Sequence, residues 1–255
     1  MLCTDTAFAV PEPDEKIWRF ISVAELVSLL SKRALFFSRV DKLDDPYEGS
    51  LPRLVVARAE AGFEGLTAQG RELMRNTRQQ VGYVQSKLWT MVNCWYLNEH
   101  ESAAMWKLHA SDGVAIQSTF SRFGAAVAAS PRKLVVGVIK YLDYETQGWD
   151  VEQDPRTIAS IFHKRASFEH ERELRAAVSE PLPGGVYNVP EGPGYVGPEG
   201  LPGIYVEVDL ATLIGRIHVS PGSPLWFRDV VKTIAGLANL DGTVVQSSVD
   251  GDPLW

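Results

Sequence analysis

The sequence predicts an α+β fold, a single domain in which helices flank a mixed, mostly antiparallel central sheet. One observation is composition, because 45% of the 255 residues are hydrophobic and seven are tryptophan, which suffices for a large packed core. A second is the order of elements: the domain opens strand–helix–strand, and most later strands fall in the centre and at the end of the chain. Residues 16–255 are expected to form this domain. Residues 1–15 form a loose leader that lacks the basic start and apolar run of a signal peptide.

Residues 16–38 contain the opening strand, helix and strand. The first strand covers 16–21 and ends at Ser22, which is followed three residues later by Glu25. This pair is a capping box and predicts a helix over residues 23–31. The apolar run that follows the helix predicts the second strand.

An acidic loop, Asp41–Gly49, follows the second strand and is expected to be a solvated turn in which aspartates cap backbone amides. Residues 54–86 are predicted as two helices broken near residues 62–65, forming a helical insertion or a lid. The remaining predicted elements are a buried strand at 87–97, a helix at 103–109 with Ser102 as its N-cap, strands at 113–119 and 134–141, helices at 120–129, 155–165, 209–213 and 224–237, and strands at 204–208, 215–220 and 243–247.

The most informative stretch is Phe168–Val178. Read with a period of two, it places Glu171, Glu173 and Arg175 on one face and the apolar residues Leu174, Ala176 and Val178 on the other. That pattern favours a strand with an apolar back and a charged front over a helix with an ordinary i, i+4 Glu–Arg pair. Residues 181–203, dense in Gly and Pro, are predicted to be an exposed loop after this strand.

Charge and composition exclude several classes of protein. The formal net charge of −7 and the absence of a long basic run disfavour non-specific binding to duplex DNA. Two cysteines are too few for a disulfide scaffold and indicate a reducing compartment, so a cytoplasmic protein is expected. No zinc-binding spacing occurs, no metal site is expected, and no segment approaches the roughly 20 apolar residues that span a membrane.

Four motifs together resemble a bacterial family known only as domain of unknown function 2971, over about residues 16–219. The motifs are Trp18-Arg19-Phe20; Phe36-Phe37-Ser38 followed by Asp44-Asp45-Pro46-Tyr47-Glu48; the Cys94–Trp95 strand followed by Met105-Trp106-Lys107-Leu108-His109-Ala110 before Gly113; and Glu171-x-Glu173-x-Arg175. Three positions depart from the family pattern: Asp44 stands where Asn is usual, His109 where Tyr is usual, and Phe168 where Trp is usual. The family name implies little about function.

The order Arg19, Ser102 and Glu171-x-Glu173 also resembles the ADP-ribosyltransferase superfamily. This resemblance implies an enzyme with a split sheet that uses a nicotinamide dinucleotide, NAD, as its substrate and modifies a nucleic acid or protein target. A toxin or phage-defence effector would fit such an activity. The candidate catalytic residues are Glu173 and Glu171, and the candidate cofactor-binding residues are Arg19, Ser38, Tyr47, Ser102, Trp106 and His109. The sequence leaves the oligomeric state open.

The expected chemistry suits these residue types. Transfer of ADP-ribose passes through an oxocarbenium-like centre, which a carboxylate beside the ribose can stabilise, as in glycosidases. One glutamate would supply the negative charge that stabilises this centre, and the other would act as general base. Arg19 would bind the pyrophosphate, because a guanidinium matches phosphate bidentately. Tyr47, Trp95 or Trp106 would stack on a ring of the dinucleotide.

Two other interpretations remain open from the sequence. In one, the domain is a non-catalytic binding or regulatory module in which Arg19 pairs with Glu171 or Glu173 across the sheet. In the other, the protein is a nuclease or another phosphate-transfer enzyme that uses Asp44, Asp45 and Glu48 with a divalent cation.

Overall fold

The computed structural model describes residues 2–3, 8–77, 85–149, 157–179 and 201–251, and it has the predicted α+β architecture with a mixed, mostly antiparallel sheet flanked by helices. The strands are β1 (Leu2–Cys3), β2 (Lys16–Ser22), β3 (Ala34–Arg39), β4 (Thr90–Leu97), β5 (Gly113–Thr119), β6 (Leu134–Val138), β7 (Lys140–Leu142), β8 (His163–Arg165), β9 (Glu173–Ser179), β10 (Gly203–Glu207), β11 (Arg216–Val219) and β12 (Val244–Gln246). The helices are α1 (Val23–Lys32), α2 (Arg53–Ala61), α3 (Ala68–Thr77), α4 (Gln85–Trp89), α5 (Ala103–His109), α6 (Phe120–Ala126), α7 (Leu210–Leu213) and α8 (Leu225–Gly236). No helix in the described ranges is long and apolar enough to cross a membrane.

The sheet forks at β4. Its main path runs β1-β6-β9-β4-β2-β5-β11-β12, while β3 also pairs with β4 and carries β10 on its other edge. β2 pairs with β4 only at Tyr96 and Leu97, whereas β3 pairs with the start of β4 at Met91 and Val92. Among the described strands, the middle of β4 therefore has no pairing partner on this edge. Strands β2 and β3 are the two arms of the fork, and helix α1, which connects them, packs on both.

The opening strand–helix–strand forms as predicted. The Ser22 side chain accepts from the Glu25 backbone N–H, and the Glu25 carboxylate accepts from the Ser22 backbone N–H, so the capping box is complete. Helix α1 ends at Arg33, which adopts a left-handed conformation with φ of 50°. The helix buries Leu26 and Leu29 against the large core.

The two faces of β9 pack against different parts of the protein. Leu174, Ala176 and Val178 belong to the large core under α1, α6 and α8. On the opposite face, Ala177 belongs to a smaller core around Phe8 and Phe162. The period-two prediction for this strand is therefore correct from Glu173 onwards, and its charged residues lie on the side of the smaller core.

The charged strand starts later than predicted. Glu171 is the last residue of a 3-10 segment, Ala166–Glu171, and strand β9 begins at Glu173. The change of direction occurs at Arg172, whose φ of 40° is left-handed and therefore incompatible with a continuous strand. The placement of Glu171 in the strand was thus wrong, although Glu171 still lies close to Glu173.

Three further boundaries differ from the prediction. Residues 85–89 form the short helix α4, so the strand expected from residue 87 begins at Thr90. Thr157–Phe162 is a 3-10 segment followed by strand β8, where one helix was predicted over 155–165. Part of the predicted leader lies against the sheet, because Phe8 is buried and the Ala9 carbonyl accepts from the Val138 N–H. Most of the predicted loop at 181–203 lies outside the described residues.

Candidate functional site

A cavity of about 540 Å³ lies at the fork, between β2, β4, α5 and the 3-10 segment that ends at Glu171. It brings together Arg19, His109, Glu171 and Glu173, four of the residues that the sequence nominated. The other lining residues are aromatic, apolar or charged: Trp18, Phe20, Leu43, Asp44, Asp45, Glu48, Cys94, Trp95, Tyr96, Met105, Leu108, Lys164, Phe168, His170 and Arg175. Its volume lies within the roughly 300–1,000 Å³ that ligand pockets usually have.

Arg175 lies at the floor of the cavity and is saturated with hydrogen bonds. Its Nε and Nη2 donate to the two oxygens of Glu173, at 2.5 and 3.0 Å. Its Nη1 and Nη2 donate to the two oxygens of Glu48, at 2.8 and 3.1 Å, and Nη1 also donates to the Ile161 carbonyl at 2.8 Å. Two bidentate carboxylates around one buried guanidinium form a rigid arrangement, because the planar fork fixes both partners.

Lys164, on β8, is the second cation of this cluster. Its Nζ lies 2.5 Å from an oxygen of Glu171, 3.1 Å from Glu48 and 3.6 Å from Glu173. The Phe168 ring centroid lies 4.8 Å from the same Nζ. The cluster therefore contains three carboxylates and two cations, which gives a formal net charge of −1 at the cavity floor.

The cations keep the buried carboxylates ionised. Burial by itself would raise the pKa of Glu48, but the charges of Arg175 and Lys164 and their hydrogen bonds lower that pKa from 4.5 to about 2. Burial also opposes ionisation of Glu173, yet Arg175 lowers the pKa of this group below its usual range. The same contacts raise the pKa of Lys164 above its usual value, although burial acts in the opposite direction. All three groups are consequently charged at neutral pH.

Arg19 enters the cavity through the gap between β2 and β4. Its Nη1 donates to the Cys94 carbonyl at 2.8 Å, which satisfies an acceptor in the middle of β4. Burial lowers the pKa of Arg19, while Cys94, Glu25 and Glu173 partly offset that effect. Among the described residues, no carboxylate oxygen lies within 4.0 Å of its guanidinium. The predicted direct pairing of Arg19 with Glu171 or Glu173 was therefore wrong, since those carboxylates bind Lys164 and Arg175.

Four nominated residues do not line the cavity. Ser38 lies on β3, opposite Gly203 and Val92. Tyr47 is 48% exposed, with the Arg165 guanidinium 4.1 Å from its ring centroid. Ser102 caps α5 by accepting from the Met105 N–H. Trp106 is buried in the aromatic core, and its Nε1 donates to Glu101 at 3.0 Å.

Two members of the charged cluster were not predicted in these roles: Glu48, which the sequence suggested only as a ligand for a divalent cation, and Lys164. Glu48 belongs to the loop that was expected to be solvated, but it is buried and bound to Arg175. Lys164 lies on strand β8, where the sequence predicts a helix over residues 155–165. The signal that could have found Glu48 is its place in the Asp44-Asp45-Pro46-Tyr47-Glu48 motif. Nothing local distinguishes Lys164 from a surface lysine.

Three carboxylates of the acidic loop, Asp41, Asp45 and Glu48, are engaged by cations of the protein. Both oxygens of Glu48 accept from Arg175, and one oxygen of Asp45 accepts from Arg165 at 2.9 Å. Within the ranges that the structure describes, no group of three or more His, Cys, Asp or Glu side chains is arranged to hold a metal ion.

Comparisons of the chain with family models, with curated proteins and with solved structures found no match. The two resemblances drawn from sequence motifs accordingly stay predictions.

Proposed function

We propose that the protein is an ADP-ribosyltransferase-like enzyme that cleaves the N-glycosidic bond of the oxidised nicotinamide dinucleotide. The observation that carries this proposal is the charge pattern of the cavity: a fixed net charge of −1 at its floor, and the guanidinium of Arg19, free of a carboxylate partner among the described residues, at its wall. A reacting centre that becomes positive and a pyrophosphate that is negative would be complementary to these two regions.

The step has a simple balance of bonds and electrons. The bond between the ribose C1′ and the nicotinamide nitrogen breaks, and neutral nicotinamide leaves with the bonding electron pair. Positive charge develops on C1′ and the ring oxygen of the ribose, and the carboxylates at the cavity floor stabilise it. An oxygen or nitrogen nucleophile from water or from a macromolecule then forms a bond to C1′ and gives up its proton to a carboxylate.

Arg19 would bind the pyrophosphate. Arg19 is partly exposed as a residue, and its guanidinium donates one observed hydrogen bond, to a carbonyl, so other N–H groups are available to phosphate oxygens. His109 and the ring of Phe168 lie in the wall of the same cavity, where they would contact a ribose or a base. The acceptor would be a nucleic acid or a protein, in the manner of a cytoplasmic toxin or phage-defence effector.

The proposal is tested by titrating the purified protein with the oxidised dinucleotide and measuring both the melting temperature and released nicotinamide. A ligand that binds only the folded state raises the melting temperature. We expect a saturable rise that is lost in Arg19→Ala and kept in Arg216→Ala, whose arginine is exposed on β11 outside the cavity. Nicotinamide release should fall in Glu171→Gln. No rise at millimolar ligand and no released nicotinamide would overturn the proposal.

A second candidate function is a non-catalytic binding or regulatory domain. It is favoured by Arg175, whose three guanidinium nitrogens are all bound within the protein, as expected for a structural network. This candidate predicts that Glu173→Gln lowers the free energy of unfolding by about 3 kcal/mol or more, and that the wild-type protein releases no nicotinamide from the dinucleotide. Nicotinamide released by the wild-type protein would exclude it.

A further inference from the structure

We infer that Lys164 is a positioning residue: it holds the carboxylate of Glu171 at the cavity, so that Glu171 and not Glu173 meets the reacting group. The inference rests on the proposed function. It goes further by dividing the roles of the two glutamates and by assigning a residue that the sequence motifs do not contain.

The two glutamates differ in how completely the protein engages them. Both oxygens of Glu173 accept from Arg175, and its side chain is 5% exposed. Glu171 accepts through one oxygen, from Lys164, and its side chain is 18% exposed. In the part of the chain that the structure describes, its second oxygen has no protein donor. Glu171 can therefore accept a hydrogen bond or a proton from a ligand, whereas Glu173 would first have to release Arg175.

The position of Lys164 is itself fixed. Its strand pairs with β7, where Tyr141 lies opposite Lys164 in the ladder. The Tyr141 hydroxyl accepts from the backbone N–H of Glu173 at 2.8 Å, so β7 connects the lysine to the start of the charged strand. The Phe168 ring and the three carboxylates surround Nζ. A single ammonium group held in this way determines where the Glu171 carboxylate lies.

Removing this lysine would leave three carboxylates facing only Arg175. Mutual repulsion would then move Glu171, the most exposed of the three, away from the cavity into solvent. Binding of the dinucleotide through Arg19 would persist, because Arg19 does not contact Lys164. The expected effect is therefore on turnover rather than on affinity.

The test is a double-mutant cycle in the full chain, with nicotinamide release at saturating dinucleotide and the dissociation constant measured for each variant. We expect Lys164→Met and Glu171→Gln each to lower turnover about 10- to 100-fold, with the dissociation constant changed less than about threefold. The double variant should be no slower than the slower single variant, because each single change already removes the same Lys164–Glu171 contact. Lys164→Arg should recover part of the rate, and Lys140→Met, exposed on the neighbouring strand, should be unchanged.

If Lys164→Met does not fold, the same cycle is measured with Lys164→Gln, whose amide can still donate a hydrogen bond. Rate losses that multiply in the double variant, or a loss of dinucleotide binding in the folded Lys164→Met protein, would overturn the positioning role while leaving the proposed function intact. A wild-type protein that releases no nicotinamide would overturn the proposed function, and this role with it.

Discussion

At the scale of single residues, the environment rather than the residue type sets the role of each glutamate. Glu48 and Glu173 are buried and bidentately bound to Arg175, while Glu171 keeps an oxygen towards the cavity. Burial alone would favour the protonated form of such groups, and the adjacent cations reverse that preference. The same type of side chain thus serves as a fixed charge in two places and as an available acceptor in the third.

Glu48 should make stability depend on pH at the acid side. Its pKa is lowered in the folded state, so its contribution is present above pH 4.5 and is lost as the pH falls towards 2. At pH 7, Glu48→Gln should lower the free energy of unfolding by about 3 kcal/mol, and the difference from wild type should shrink below pH 4. Urea unfolding at pH 7, 4 and 3 measures both quantities.

The matched control for this experiment is Glu145→Gln. Glu145 forms an exposed pair with Arg53, and such pairs contribute about 0–1 kcal/mol. A difference between Glu48→Gln and wild type that stayed constant from pH 7 to pH 3 would contradict the role given to this carboxylate.

At the scale of elements, the capping box at Ser22 decides where strand β2 ends and helix α1 begins, and so how far the two arms of the fork extend. Ser22→Ala should lower the free energy of unfolding by about 1 kcal/mol, since it removes the acceptor for the Glu25 N–H. Urea unfolding at neutral pH is the measurement. Ser31→Ala, near the other end of the same helix, should cost less than about 0.5 kcal/mol. Equal losses in the two variants would show that the cap does not stabilise this helix.

The position of α5 also depends on a contact distant in sequence. Glu101, just before the helix, accepts from Trp106 Nε1, from the Ser247 hydroxyl and from the Ser248 backbone N–H and hydroxyl. His218 Nδ1 lies 3.3 Å from the same carboxylate. Burial opposes ionisation here, but these donors lower the pKa of Glu101 below its usual range. One buried carboxylate therefore links a wall of the cavity to the chain after β12.

Glu101→Gln should destabilise helix α5, which forms this wall of the cavity. We expect the free energy of unfolding to fall by about 1–3 kcal/mol, because buried donors lose a charged acceptor. Hydrogen exchange of residues 103–109 should become faster, while exchange in β9 changes little. Glu99→Gln, in the exposed part of the same loop, is the control. Unchanged exchange in α5 would contradict this link.

At the scale of the whole molecule, the fork in the sheet creates the site. Pairing of β4 with β2 at one end and with β3 at the other leaves the gap through which Arg19 reaches the Cys94 carbonyl. The cavity lies at this gap, with the charged face of β9 as its floor. If one strand paired with the whole length of β4 on this edge, no gap would remain through which Arg19 could reach the Cys94 carbonyl.

The sequence by itself determined the α+β class, the opening strand–helix–strand and the two faces of β9, because capping and periodicity are local properties that each segment carries alone. It also nominated Arg19, His109, Glu171 and Glu173, which the fold brings to one cavity. Only the tertiary structure decided that Glu48 and Lys164 complete the charged cluster, and that Ser38, Tyr47, Ser102 and Trp106 lie elsewhere. The physical reason is that ion pairs between residues more than a hundred positions apart, such as Glu48 and Arg175, depend on chain packing that no local pattern encodes.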